Sequence, residues 1–153
     1  MLLSVFIKLV AAVSVFFSAA SAAPADNLQA EALATHNRFR ATHHVAGLRW
    51  SQDLADHAAA VSQTCIWEHD TLNGMGQNLD WYNEIQYYDY NTGETTIEGE
   101  LVGHFTQIVW KDTTEIGCAV NYCVNMNQRY FYVCGYTPLG NFNNNNAANV
   151  FRP

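Results

Sequence analysis

The sequence predicts a three-layer α/β/α sandwich in which helices flank a small antiparallel sheet. Three observations predict it. Two stretches, Leu28 to Thr42 and the residues after Ser51, repeat their core-type side chains at helical spacing. Two strand-like runs, Ile116–Tyr122 and Arg129–Tyr136, flank a polar loop and can pair antiparallel. Four cysteines, Cys65, Cys118, Cys123 and Cys134, are placed so that they can staple the second helix to those strands.

Residues 1–22 read as a secretory signal peptide. Lys8 is the only charge before Asp26, Leu9 to Ala20 is an apolar run, and Ala20-Ser21-Ala22 fits a small-residue cleavage site. The run is short and lacks a basic stop-transfer flank, so no transmembrane anchor is expected after cleavage. Residues 23–153 are then one domain with one core, a size that suits about 130 residues.

In the first helix Leu28, Ala32, Thr35 and Phe39 form the repeating face, and Asp26 with Gln29 can act as a capping box. In the second, Ser51 is the N-cap and Asp53 suits the positive first turn. Leu54, Ala58, Val61 and Cys65 make its stripe and carry the cysteine to the core side. Trp81, Glu84, Ile85 and Tyr88 form a third helical face, with the glutamate as its odd member. Gly99 and Gly103 bracket a turn, and Phe105 to Trp110 makes a short helix or extended core segment. Asn141 to Asn146 is Asn-rich, has little to bury, and reads as a surface tail. His36, His43, His44 and His57 are expected on the surface or on helix faces.

All 14 acidic residues and 6 of the 7 basic ones follow the leader, so the remaining domain carries about −8 with neutral histidines. That charge excludes nucleic acid and charge-driven binding to anionic membranes. It leaves open a neutral lipid, whose capture depends on burying apolar surface. An even cysteine count behind a leader implies two disulfides, for which sequence alone allows three connectivities. Cys118 and Cys134 can face each other across the strand pair, which leaves Cys65 with Cys123. Zinc is the competing use of the cysteines, but the Cys118–Cys123 spacing has no matching Cys or His pair elsewhere.

Two motifs narrow the reading. Gly103-His104-Phe105-Thr106-Gln107-Ile108-Val109-Trp110 is the first. Phe131-Tyr132-Val133-Cys134-Gly135-Tyr136-Thr137-Pro138-Leu139-Gly140-Asn141-Phe142, followed by Asn149-Val150, is the second. Together they resemble the signatures of the CAP superfamily: cysteine-rich secretory, antigen 5 and pathogenesis-related class 1 proteins, here of the secreted fungal type. The resemblance runs from Leu28 to Val150 and implies the same sandwich. The two disulfide pairings above recur in secreted members. His36-Asn37-x-x-Arg40 also resembles the H-N-x-x-R run of the family's first helix, a structural element.

The resemblance implies a cleft holding two histidines and two acids. Cys65-Ile66-Trp67-Glu68-His69 matches the family's first histidine context, and the G-H-F-T-Q motif supplies His104. Trp81-Tyr82-Asn83-Glu84-Ile85 matches W-Y-x-E-I and supplies Glu84. The G-E-N-L acid is replaced, since Gly76-Gln77-Asn78-Leu79 places Gln77 there. His69 and His104 are the candidate metal ligands for Zn²⁺ or another divalent cation. Gln77 offers a carbonyl oxygen without charge, so any such ion would be bound weakly, and no cofactor is required. A second departure lies beside it: Asp80 alone separates Leu79 from Trp81, where most relatives carry a longer segment. In fungal and related members part of that segment forms an aromatic-rich sterol-binding loop. Trp81, Tyr82, Tyr87, Tyr88 and Tyr90 still make a dense aromatic patch. Such a patch is more often core than ligand surface, and Trp81 and Tyr82 are its candidates for ligand contact.

The function implied is that of a secreted, non-enzymatic CAP domain that binds a sterol or fatty acid for lipid export or sequestration. One alternative is an interaction, virulence or defence-related protein that engages a cell-surface protein. Another is a weak metal-dependent hydrolase using His104 with Glu84. No serine stands out as its nucleophile: Ser51 and Ser62 fall on the second helix, and the cysteines are consumed in bridges.

Overall fold

The computed structural model describes residues 27–66, 81–126, 129–142 and 145–153. The leader, His69 and Gln77 lie outside the described residues. Helix α1 spans Leu28–Thr42, strand β1 Arg49–Trp50 and helix α2 Gln52–Thr64. Trp81 and Tyr82 are helical and run into a 3-10 helix, Asn83–Tyr87. Strands β2 (Tyr88–Asp89) and β3 (Glu94–Thr95) form a small hairpin, followed by helix α3, Gly103–Ile108. Strands β4 (Glu115–Cys123) and β5 (Arg129–Thr137) follow, and the last element is the four-residue helix α4, Asn146–Asn149.

β4 and β5 pair antiparallel over nine positions, with Cys118 opposite Cys134. β1 adds a parallel edge to β4, giving the order β1-β4-β5. This parallel strand was not expected; two residues are too few to show alternation in a sequence. Gly117, Ala119, Asn121 and Cys123 of β4 face α2. A side chain at Gly117 would meet the Ala55 backbone nitrogen at 2.2 Å, so the glycine is what lets helix and sheet close up. Ala58, Cys123, Phe131 and Val133 make the core on that side. On the other face Ala32, Leu48, Ile116, Cys118, Cys134 and Tyr136 pack beneath α1. The disulfides are Cys65–Cys123, which ties the end of α2 to the sheet, and Cys118–Cys134, which links the two strands.

The helices differ from expectation in which faces they bury. Ser51 does cap α2, its Oγ accepting from the Leu54 N–H at 3.4 Å. However, the buried line of α2 is Ala55, Ala58 and Ser62, because its small-residue face is the one that meets Gly117. Cys65 follows as a left-handed C-cap, φ 50°. The buried line of α1 is Ala32, His36 and Arg40. Asn27 holds the α1 N-cap position without a side-chain bond, and Asp26 lies outside the described residues.

His36 and His43 are thus buried rather than on the surface. The ring of His36 donates from Nδ1 to the Ala32 carbonyl at 2.8 Å, which makes Nε2 the acceptor for the Tyr136 hydroxyl at 2.8 Å. Burial pushes its pKa down to about 4, with the Arg40 charge adding to the effect. Asn37 accepts from the Leu48 N–H and donates to the Leu48 carbonyl, pinning the chain that enters β1. These contacts account for the H-N-x-x-R run. Each polar member is spent on a backbone or hydroxyl partner inside the fold.

Candidate functional site

The site is organised by α3, a helix of six residues with little stability of its own. Two charged side chains hold its ends. At the N-terminus Glu84 Oε2 accepts from the backbone N–H groups of His104 (3.0 Å) and Phe105 (3.1 Å). Its other oxygen, Oε1, accepts from His104 Nδ1 at 2.6 Å. Past the C-terminus Arg40 donates to the carbonyls of Ile108 (3.0 Å) and Trp110 (2.8 Å), and also to those of Ala46 and Thr113. A carboxylate at the positive end and a guanidinium at the negative end both match the helix dipole. Arg40 is fully buried, and burial lowers its pKa to about 10, so it stays charged at neutral pH.

Glu84 also fixes the imidazole of His104. With Nδ1–H donating to the carboxylate, the neutral ring carries its lone pair on Nε2. Trp81 stacks on this imidazole, with centroids 5.2 Å apart and planes 17° from parallel. The two lie along a cleft of about 220 Å³ lined by Trp81, Leu101, Gly103, His104, Gln107, Tyr136 and Asn141. Leu101, 62 % exposed, stands at its mouth.

Most other polar groups along the cleft are committed to the fold. Gln107 donates from Nε2 to Thr113 Oγ1 (3.1 Å) and accepts from the Gly140 N–H at Oε1 (2.8 Å). Thr113 passes the chain on by donating to the Pro138 carbonyl. Asn141 accepts from the Thr106 hydroxyl at 2.6 Å and donates to the Gly103 carbonyl at 2.7 Å. Gly140 lies so close to Gln107 and Trp110 that a Cβ there would sit 2.9 Å from their side chains. The two sequence motifs are therefore the two halves of one hydrogen-bonded joint. The described residues of the expected surface segment, Asn141, Phe142 and Asn145, are exposed, but the segment is tied down rather than loose: Asn141 is bonded to α3 and Asn146 to the Gly93 carbonyl.

The structure brings Trp81 and His104 to one cleft, with Glu84 bonded to His104 rather than lining it. Tyr82 takes a different place. Its ring stacks on Phe39 with centroids 3.7 Å apart, and its hydroxyl meets His43 Nε2 at 2.8 Å. The expected helical face Trp81–Glu84–Ile85–Tyr88 is a helical turn, a 3-10 helix and the start of β2. Trp81, Tyr88 and Phe105, with Tyr82 and Tyr90 packed against them, form a core cluster behind the cleft. Sequence reasoning missed Arg40, Gln107, Tyr136 and Asn141 as parts of this site. All four lie in the motifs quoted above, and a polar residue set among the apolar positions of such a motif is the signal that could have marked them. Among the described residues no group of three His, Cys, Asp or Glu is placed to hold a metal ion.

A sandwich stapled by two disulfides, with a cleft beside a short helix whose histidine is held by a carboxylate from the preceding 3-10 helix, defines the class of domain. The chain belongs to the CAP family, the cysteine-rich secretory protein family, whose model matches residues 33–80 and 78–136. The two matched pieces meet at the shortened Leu79–Trp81 join. The chain is 35% identical over 147 residues to the fruiting body protein SC7 of Schizophyllum commune, covering 78% of this chain and 69% of that protein. It is 31% identical over 132 residues to peptidase inhibitor 16 of Mus musculus, covering 69% of this chain and 26% of that protein. The chain thus spans about a quarter of the mouse protein's length. The structure of NaASP2 with Zn²⁺ shares the fold, with a TM-score of 0.60 at 19% identity over 75% of this chain and 81% of that one.

Proposed function

We propose that the protein is a secreted, non-enzymatic CAP domain that binds a small hydrophobic ligand in the Trp81–His104 cleft. The observation that carries this reading is the cleft's chemistry. Its apolar wall is Trp81, Leu101 and Tyr136, while Gln107, Asn141 and Glu84 are spent on internal hydrogen bonds. Burial also raises the Tyr136 pKa, so its hydroxyl stays protonated and directed at His36. At about 220 Å³ the cleft is smaller than the roughly 300–1,000 Å³ of drug-sized pockets. It would take one end of a lipid, a stretch of fatty acyl chain or the edge of a sterol, with Leu101 extending the apolar surface outward. The two disulfides favour an oxidising, extracellular location. Organic extraction of protein purified from culture medium, followed by mass spectrometry, tests the reading. It expects an apolar compound at near-equimolar amount, and extracts no richer than those of an unrelated secreted protein would contradict it.

Metal binding is a second reading, favoured by the Glu84–His104 pair. A carboxylate holding Nδ1 is the arrangement that orients an imidazole for ligation through Nε2. Among the described residues it supplies one ligand, and the relative NaASP2 has been crystallised with Zn²⁺. A bound cation would polarise water or a carbonyl group, and His104 would hold it, with His69 as the expected partner. Gln77→Glu would then tighten Zn²⁺ binding by restoring a charge near the ion, an effect that grows as pH rises through the histidine range. Calorimetric titration of both proteins decides it, and equal affinity or no binding by either removes this reading.

Engagement of a cell-surface protein is favoured by the far end of the β4–β5 hairpin. There Tyr122 and Tyr130 are exposed, edge to face across the strands at 5.2 Å, and Val124 beside them is also exposed. If this reading holds, Tyr122→Ser with Tyr130→Ser abolishes binding to cells in a labelled-protein assay, while unchanged binding excludes that face.

A further inference from the structure

We infer that His43 is a positioning residue for the cleft: it holds Tyr82, and through Tyr82 the Trp81 wall against His104. The inference rests on the cleft reading proposed above and adds a residue that lies outside the cleft and outside both signature motifs.

His43 is fully buried at the C-cap of α1. Its two ring nitrogens face two different segments. Nδ1 meets the Phe151 carbonyl at 2.5 Å, and Nε2 meets the Tyr82 hydroxyl at 2.8 Å. A carbonyl can only accept, so Nδ1 carries the proton and Nε2 is the acceptor for the tyrosine O–H. The C-terminal segment therefore selects the tautomer that can hold Tyr82. Burial lowers the His43 pKa, which keeps the ring in this neutral form.

Tyr82 is the next residue after Trp81, and both belong to one helical turn. The turn opens the segment that delivers Glu84 to α3. Stacking on Phe39 fixes the plane of the Tyr82 ring but leaves sliding within that plane open. The hydrogen bond that the Tyr82 hydroxyl donates to His43 Nε2 removes that freedom. The T-shaped contacts of both His43 and Tyr82 with Phe105, at 5.4 and 5.7 Å, close the same packing unit against α3. A ring free to slide along Phe39 would carry Trp81 with it, and Trp81 is the cleft wall stacked on His104.

Two substitutions separate the two bonds. His43→Asn places an amide near the Nδ1 position, keeping a donor for Phe151 and losing the acceptor for Tyr82. His43→Gln reaches the Nε2 position, keeping an acceptor for Tyr82 and losing the donor for Phe151. Each protein is titrated with 1-decanol while the indole N–H resonance of Trp81 is followed by NMR. His43→Gln should match wild type in both affinity and resonance position. His43→Asn should move the Trp81 resonance and weaken decanol binding by roughly three- to tenfold, the equivalent of one hydrogen bond. Equal behaviour of the two variants, whether both altered or both unaltered, would overturn the inference, since loss of bulk or stability does not discriminate between them. If wild type fails to bind decanol, the cleft reading falls. The Trp81 resonance of the two variants still decides the role of His43.

Discussion

Glu84 and Arg40 hold opposite ends of the same six-residue helix, one from the segment after Trp81 and the other from α1. Neither touches the other, yet each supplies what an isolated short helix lacks: acceptors for its first N–H groups and donors for its last carbonyls. The position of His104 in the cleft is a consequence of both.

The two clamps should differ in cost. Arg40→Met leaves four carbonyls without their donor in a site closed to water, and should destabilise by roughly 3–5 kcal/mol. Glu84→Gln keeps one acceptor oxygen, and the glutamate side chain is 15 % exposed, so water can replace part of what is lost. Its cost should be about 1–3 kcal/mol. Urea denaturation of the three proteins checks the order, and a Glu84 variant less stable than the Arg40 variant would reverse it.

Acid should weaken the fold through His36. Its folded pKa, about 4, lies below the unfolded value of 6.5, so the unfolded chain binds the proton first. The contribution is whole above pH 6.5, erodes as pH falls, and is gone below about 4. The difference amounts to roughly 3 kcal/mol. Urea midpoints at pH 7 and pH 4.5 should differ more in wild type than in His36→Gln, whose side chain does not titrate. An identical pH dependence in the two would contradict the assignment.

The two bridges should not be equal. Cys65–Cys123 encloses a separation of 58 residues and Cys118–Cys134 one of 16. Loop-closure entropy then gives the first about 4 kcal/mol and the second about 3 kcal/mol. Thermal melts of the two Cys-to-Ala double variants would read the order.

Gly117→Ala should fail to fold or lose several kcal/mol. The added carbon would sit 2.2 Å from the Ala55 nitrogen and 2.5 Å from the Ser51 carbonyl oxygen, both backbone atoms that cannot rotate away. A far-ultraviolet circular dichroism melt close to that of wild type would mean that α2 can lift off the sheet at little cost.

These contacts also explain what could be read from the chain alone. The extents of α1 and the paired strands were legible because period and length suffice to place them, and α2 also carries a visible cap in Ser51. The buried face of α1 was not, because His36 and Arg40 are polar and only their distant partners, Tyr136 and the carbonyls after α3, make burial favourable. His43 was misplaced for the same reason, since nothing near it in sequence announces Tyr82 or Phe151. Asn141 is solvent-facing as expected, but its bonds to Thr106 and Gly103 were not legible, because an amide's partners are set by tertiary contact alone. Of the expected cleft residues, Glu84 and His104 were legible from motif resemblance, whereas the reason they meet is the geometry of α3's first turn.

The Trp81–His104 cleft should act as an apolar binding site. Titration of wild type and Leu101→Asp with 1-decanol tests it most directly, because Leu101 lines the cleft yet is exposed, and its loss leaves the core intact. Wild type should show saturable one-to-one binding and the variant about tenfold weaker binding, the equivalent of burying most of one leucine side chain, with the same melting temperature for both. Equal affinity in the two proteins, or no saturable binding by wild type, would contradict it.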